Sequence, residues 1–315
     1  MRLKFQGLNS AALRNWLLFI VLAIIWGSSF ILIKEGIAFL TPFQAASVRI
    51  VAAGAVLLPL AIRYFRSIPV SKLPLVAASG ALGSLFPAYL FCLAEEGMDS
   101  AMAGTLNSLT PIFVIITGAL FFGLRTHKYK VIGILVAFGG TALLSFNSEQ
   151  SGNPVRFLNI FYIIIATIMY GLNVNLVQRY LKGMQSLHIV SAALVINAIP
   201  ALVVLGMTGY FSELPGNEGM WRSTLFSFLL GFLGTAVASI LFYMLIKRAG
   251  AVFSSMVTYG IPIVANIWGI IYGENMGMVE ILSLMVILTG VYLANRKWST
   301  EPPASSAEKD NDRKK

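Results

Sequence analysis

The sequence predicts an all-α polytopic membrane protein: ten transmembrane helices arranged as two inverted five-helix repeats. Three observations lead there. Of the 315 residues, 57% are hydrophobic and only 11% charged, outside the range of soluble globular domains. Ten apolar segments can be marked, most of them reaching the roughly 20 residues that cross a bilayer as a helix. A shift of 151 positions superposes Gly80 on Gly231, Gly83 on Gly234, Pro111 on Pro262, Gly118 on Gly269 and Gly139 on Gly290 without a gap, the mark of an internal repeat.

Taken in order, the segments are Trp16 to Lys34, Phe43 to Ile62, Leu73 to Leu93, Ser100 to Leu124, Val131 to Phe146, Phe157 to Val177, Leu187 to Met207, Ser223 to Ile246, Ala251 to Gly273 and Met278 to Asn295. The first two match the sixth and seventh at a shift of 144, with Gly27 on Gly171 and Ser47 on Ser191; the long connection from Thr208 to Arg222 accounts for the change to 151. Five helices per copy is an odd number, so the second copy enters the membrane from the opposite side. The expected organisation is an N-terminal segment 1–15, a first repeat 16–146, a linker 147–156, a second repeat 157–295 and a disordered polar tail 296–315.

The net charge of +10 is a topology signal and not a nucleic-acid footprint, because the basic residues sit in short turns between apolar segments. With a cytoplasmic N-terminus, nineteen of the twenty-three Lys and Arg residues fall inside, while Lys34, Arg156 and Arg222 fall outside. Both termini are then cytoplasmic. Arg2, Lys4 and Arg14 precede the first apolar run without a small-residue cleavage site, which reads as an uncleaved first helix of a bacterial inner (plasma) membrane protein. Cys92 is the single cysteine, so no intrachain disulfide forms.

Polar residues at membrane depth mark the candidate cavity. Trp26 and its repeat partner Tyr170 fall near the middle of the first and sixth helices. Around them lie Ser28 and Ser29, Phe86 and Tyr89, Asn173, and Thr235 and Ser239. The fourth helix contributes Asn107, superposed on Thr258 of the ninth, which also carries Tyr259 and Asn266. Amides, hydroxyls and amphipathic aromatics in this pattern suit a polar or zwitterionic organic solute. The competing reading is that Ser, Thr and Asn tie helices to one another, at about 0.6 kcal/mol per contact. Pro111 and Pro262, symmetric in the repeat, each free a carbonyl one turn earlier and are the candidate hinges. Gly80, Gly83, Gly231, Gly234, Gly133, Gly139, Gly140 and Gly290 read as points of close helix approach.

Trp26-Gly27-Ser28-Ser29-Phe30, followed by Lys34, Pro42 and Arg49, resembles the opening signature of EamA-type carriers of the drug/metabolite transporter superfamily. Pro111, the Gly123 region, Gly139, Pro262, Gly273-Glu274 and Gly290 extend the similarity over about Trp16 to Asn295. The resemblance implies a secondary transporter, often an exporter of amino acids or other small metabolites, with a central cavity between the halves. It implies no particular substrate. One departure stands out: the family often has Gly-Glu at the end of the fourth helix, whereas Gly123 is followed here by Leu124.

Arg49 is the ionisable residue that lies well inside a span, where an isolated charge is expensive. It can draw a substrate carboxylate or phosphate, gate the outer mouth, pair with Glu95 or Glu96, or snorkel outward; because the resembled pattern carries arginine here whatever the substrate, the structural role is preferred. Lys34 is grouped with it as a gating or charge residue. No Asp, Glu or His lies in the middle of a span, so the midplane relay of many proton-driven pumps is missing. No cofactor or metal motif is present and none is expected; the expected partners are a small-molecule solute and the lipid bilayer. An intramembrane enzyme would need a nucleophile with a base, paired carboxylates or metal ligands, and no such cluster occurs at helical spacing. Within the carrier reading, drug efflux is the nearest alternative to metabolite export. One chain carries enough helices for a complete cavity, which suits a monomer and leaves a dimer open.

Overall fold

The computed structural model describes residues 10–124, 128–150, 155–274 and 277–295. The chain segments expected as the N-terminal extension up to residue 9 and as the polar tail lie outside them. Ten helices follow one another: α1 (Ser10–Gly36), α2 (Pro42–Tyr64), α3 (Val70–Glu95), α4 (Ser100–Phe122), α5 (Lys128–Gln150), α6 (Val155–Tyr180), α7 (Ser186–Met207), α8 (218–249), α9 (251–271) and α10 (Met278–Asn295). α5 runs on to Gln150 and α6 begins at Val155, so both helices reach into the stretch 147–156 between the repeats.

Local chemistry sets the boundaries. Thr41 and Gln44 form a capping box at the start of α2, with Pro42 in the first helical turn, where its missing N–H costs nothing. α4 ends at Gly123 with φ 67°, and Leu124 N donates 3.0 Å to the Gly118 carbonyl, closing the helix in a Schellman-type turn. Gly273 repeats this at the end of α9 with φ 76°. α8 and α9 are separated by Gly250 alone, whose φ of 84° and ψ of 167° no helix can hold.

The halves interleave. α2 packs on α7, α5 on α10, α1 on α9, α6 on both α3 and α4, and α8 on α1 and α2. The glycines of the repeat stand at these crossings. A Cβ on Gly80 would lie 2.7 Å from the Ala193 carbonyl oxygen, and its partner Gly231 stands 2.3 Å from the Arg49 carbonyl in the same sense. Gly133 and Gly290 face each other across α5 and α10, and a Cβ built on either would lie 2.3 Å from a backbone nitrogen of the other helix, Ala294 or Ala137. Without water to drive association in lipid, such close backbone approach is what holds the helices. Gly139 departs from this expectation: a Cβ there would meet nothing within 4 Å.

Many large apolar side chains are exposed. Leu17, Ile20 and Ile24 of α1, Ile199, Leu202 and Val203 of α7, Ile263, Ile267 and Ile270 of α9 and Leu282 and Met285 of α10 form the outward faces that a bilayer covers. The chain is a polytopic membrane protein. Apart from Arg49, charged residues lie toward opposite ends: the Lys34–Glu274 and Glu35–Arg222 pairs at one, the latch end, and Arg63, Lys72, Arg179 and His188 at the other, the basic end.

Candidate functional site

α4 and α9 are both broken, at corresponding places. In α4 the helical ladder lapses between Asn107 and Thr110, and in α9 a 3-10 turn over Met256–Tyr259 precedes Ile261. Pro111 and Pro262 sit in the first turn after each break, where their missing N–H leaves the carbonyls of Asn107 and Thr258 without the helical donor. Thr110 Oγ1 takes up the Asn107 carbonyl at 2.8 Å. α3 and α8 carry wide π-type turns at Ala81–Leu85 and Leu230–Val237, again in repeat-related positions. Such turns loosen the ladder and often mark functional sites. Gly234 offers its carbonyl to Trp26 Nε1 at 2.9 Å.

Between these irregular stretches lies a cavity of about 80 Å³, lined from α1, α2, α3, α4, α6, α8 and α9. At roughly 10–15 Å³ per water it has room for about half a dozen waters, or for part of a small organic solute. Of the residues singled out from sequence, Trp26, Ser29, Arg49, Asn107, Tyr170, Asn173, Thr235, Ser239 and Thr258 line it. Ser28 does not: its Oγ accepts from Trp268 Nε1 at 2.9 Å, between α1 and α9. Phe86 points outward at 48% exposure, Tyr89 bonds Ser47 at 2.8 Å, and Asn266 donates back to the Pro262 carbonyl at 2.7 Å. Tyr259 also lies off the lining.

Several lining residues did not stand out in the sequence. Phe30 and Phe91 stack edge to face with centroids 5.7 Å apart, and Phe91 continues onto Tyr170 at 6.0 Å, giving an aromatic layer on the latch side of the cavity. Ser84, Thr110 and Phe242 complete the wall. The periodic signal that could have found them is absent because their helices are apolar all round. On the basic side, Ser79, Asn173 and Tyr243 form a closed network, with Ser79 Oγ 2.8 Å from Asn173 Oδ1 and 2.7 Å from the Tyr243 hydroxyl, which receives the Asn173 amide at 3.1 Å.

Pairing of Arg49 with Glu95 or Glu96, one of the alternatives the sequence left open, is absent: among the described residues no carboxylate lies within 4 Å of it. Its Nε donates to Thr235 Oγ1 at 2.8 Å, and the side chain is 7% exposed. Glu95 instead accepts from Ser100 Oγ at 3.1 Å.

Lys34 lies outside the cavity wall, above the aromatic layer. Its Nζ donates to Glu274 Oε1 at 2.6 Å, and the same carboxylate accepts from the backbone of Ser100 at 3.2 Å and Ala101 at 3.1 Å, the first turn of α4. A carboxylate here satisfies orphan N–H groups and complements the helix dipole. Leu124 occupies the related place at the basic end. Glu274 folds back over Gly269 and Leu124 over Gly118, each leaving 2.8 Å to where a glycine Cβ would be. Gln178, the repeat partner of Lys34, approaches Gly250 at the start of α9. One end therefore carries a charged latch and the other its uncharged counterpart.

Two inverted five-helix units, broken fourth and ninth helices and a central cavity frame the comparison with known proteins. The EamA-like transporter family matches residues 14–146 and 157–296. The chain belongs to the EamA-like transporter family. Among similar proteins, an "uncharacterized transporter" of Archaeoglobus fulgidus is 27% identical over 90% of this chain and 100% of its own length. The "uncharacterized inner membrane transporter YedA" of Escherichia coli K12 is 28% identical, covering 86% of this chain and 87% of that one. A "probable amino-acid metabolite efflux pump" of the same strain is 23% identical over 89% and 94%. A solved structure superposes with a TM-score of 0.61 at 16% identity, covering 89% of this chain and 96% of that one, which speaks to the fold.

Proposed function

We propose that this EamA-family transporter is a secondary carrier exporting amino acids or other small polar metabolites, by alternating access between its inverted repeats. The observation that carries the reading is the cavity itself: it is enclosed by helices of both halves, with an aromatic layer and charged latch on one side and a hydrogen-bonded Ser79–Asn173–Tyr243 floor on the other. Rocking one repeat against the other about the breaks at Pro111 and Pro262 would open one side while the other stays closed. Lys34 and Glu274 act in this scheme as the latch-end gate. The positive-inside rule assigns the basic end to the cytoplasm. Efflux of amino-acid metabolites, the activity for which the Escherichia coli relative is named, agrees with the amides and hydroxyls of the lining.

Aromatic residues on the wall, Trp26, Phe30, Phe91, Tyr170, Phe242 and Tyr243, favour drug or toxic-compound efflux as the second reading. A cationic drug would lack an acidic partner there, and small polar solutes remain the better match. The test is counterflow: purified protein in liposomes loaded with a mixed pool of amino acids, nucleobases and sugars, with uptake of each labelled compound followed without an imposed gradient. Saturable counterflow of amino acids or related metabolites is expected. Counterflow restricted to hydrophobic drugs would replace metabolite export by the second reading.

A further inference from the structure

We infer that Arg49 is the anchor for a carboxylate, so that the solute carried is a monocarboxylate, amino acids included, and not an amine or a neutral polar molecule. The inference rests on the transporter reading above and narrows its substrate class.

Arg49 is the one formally charged residue on the cavity wall among the described residues. Its guanidinium has five N–H donors in a planar fork. One of them, on Nε, is taken by Thr235, which fixes the orientation of the group; no protein acceptor is bonded to the terminal nitrogens among the described residues. A charge held at 7% exposure, at membrane depth and without a carboxylate within 4 Å, is costly unless a counter-ion comes with the ligand. Glu274 is committed to Lys34 and the first turn of α4; Glu95 accepts from Ser100 through one oxygen, its other oxygen is buried without a hydrogen-bond partner, and neither oxygen comes within 4 Å of Arg49.

The shape of the donor set selects the anion. Two terminal nitrogens of a fork match the two oxygens of a carboxylate. A phosphate dianion would bring two charges against one, burying an uncompensated charge in a dry site. Asn107 supplies a second polar group: its Oδ1 is engaged by Thr110 Oγ1 at 3.3 Å, and its amide nitrogen has no protein partner among the described residues. Phe30, Phe91, Tyr170 and Phe242 on the same wall offer an apolar surface to the body of the solute.

The experiment uses four probes of similar size: leucine, 4-methylpentanoate, leucinamide and isopentylamine. Binding to the full chain in nanodiscs is read by tryptophan fluorescence, since Trp26 lines the cavity, and transport of the same probes by counterflow in liposomes. The two carboxylates are expected to bind at least tenfold more tightly than the amide and the amine. Arg49→Gln should abolish that preference by weakening the acids alone, and Arg49→Lys should keep part of it. Thr235→Val, which releases Nε and leaves the charge, should reduce the preference severalfold, and it decides the matter if Arg49→Gln does not fold. Equal binding of all four probes, or a carboxylate preference that survives in the folded Arg49→Gln protein, overturns the inference. Arg49-dependent carboxylate binding without counterflow of any probe would uphold the anchor and sink the transporter reading.

Discussion

Lys34 Nζ and Glu274 Oε1 stand 2.6 Å apart, joining the first helix of one repeat to the end of the ninth helix in the other. The carboxylate is 2% exposed and also caps α4 through Ser100 and Ala101, so one side chain ties together three helices. Leu124, which folds over Gly118 as Glu274 folds over Gly269, makes none of these bonds. The two ends of the bundle thus differ: one carries a buried ion pair, the other an apolar side chain over the corresponding glycine.

Glu274→Gln should open the latch end. The amide loses the charge facing Lys34 and can accept at one oxygen only. With charge-assisted hydrogen bonds worth about 1.5–3 kcal/mol, a loss of about 2 kcal/mol shifts the equilibrium roughly thirtyfold. Cysteine placed at Ile33, beneath the latch, in a Cys92→Ala background should react at least several times faster with a membrane-impermeant maleimide. An unchanged rate would show that the latch does not hold this end closed.

Leu124→Glu should do the converse, since Leu124 folds over Gly118 as Glu274 folds over Gly269. The basic end is then held shut for longer. Labelling at Ile33→Cys should rise and counterflow should slow; a variant that keeps wild-type values in both measurements would refute the equivalence of Leu124 and Glu274.

Gly133→Ala and Gly139→Ala should differ in sign. At Gly133 a methyl meets the Ala294 backbone nitrogen at 2.3 Å, and separating α5 from α10 costs about 1–3 kcal/mol. At Gly139 it meets nothing within 4 Å, and helix propensity favours alanine by about 1 kcal/mol. Thermal unfolding in detergent should show a lower midpoint for the first variant and an equal or higher one for the second.

Asn175→Ala and Asn107→Ala separate packing from binding. Asn175 donates to Val114 O at 2.9 Å, to Thr117 Oγ1 and to Gly171 O, away from the cavity. Its loss leaves buried acceptors and should lower stability by about 1–2 kcal/mol with solute preference unchanged. Asn107→Ala should instead raise KM for the transported solute several-fold at nearly constant stability. Equal KM values for Asn107→Ala and the wild type would remove Asn107 from the binding site.

Much of the architecture was legible in the chain. The repeat could be read because glycine and proline are needed where backbones approach or break, whatever surrounds them: Gly80, Gly231, Pro111 and Pro262 keep their spacing for that reason. The Gly-Glu at 273–274 and the Gly-Leu at 123–124 likewise announced unlike ends. The sequence did not disclose that Glu274 closes on Lys34 and α4, a contact across 240 positions.

What the sequence determined by itself was the number of spans, their inversion and the glycine crossings, because length, charge and backbone freedom are local properties. Which polar residue faces solute was decided only by tertiary packing. Ser29 lines the cavity while its neighbour Ser28 binds Trp268, and Asn173 lines it while Asn175 holds α4. A helix in lipid is apolar toward both bilayer and core, so no hydrophobic periodicity fixes its rotation. Rotation is set where helices interlock, and with it the solitary guanidinium of Arg49 is turned into the cavity.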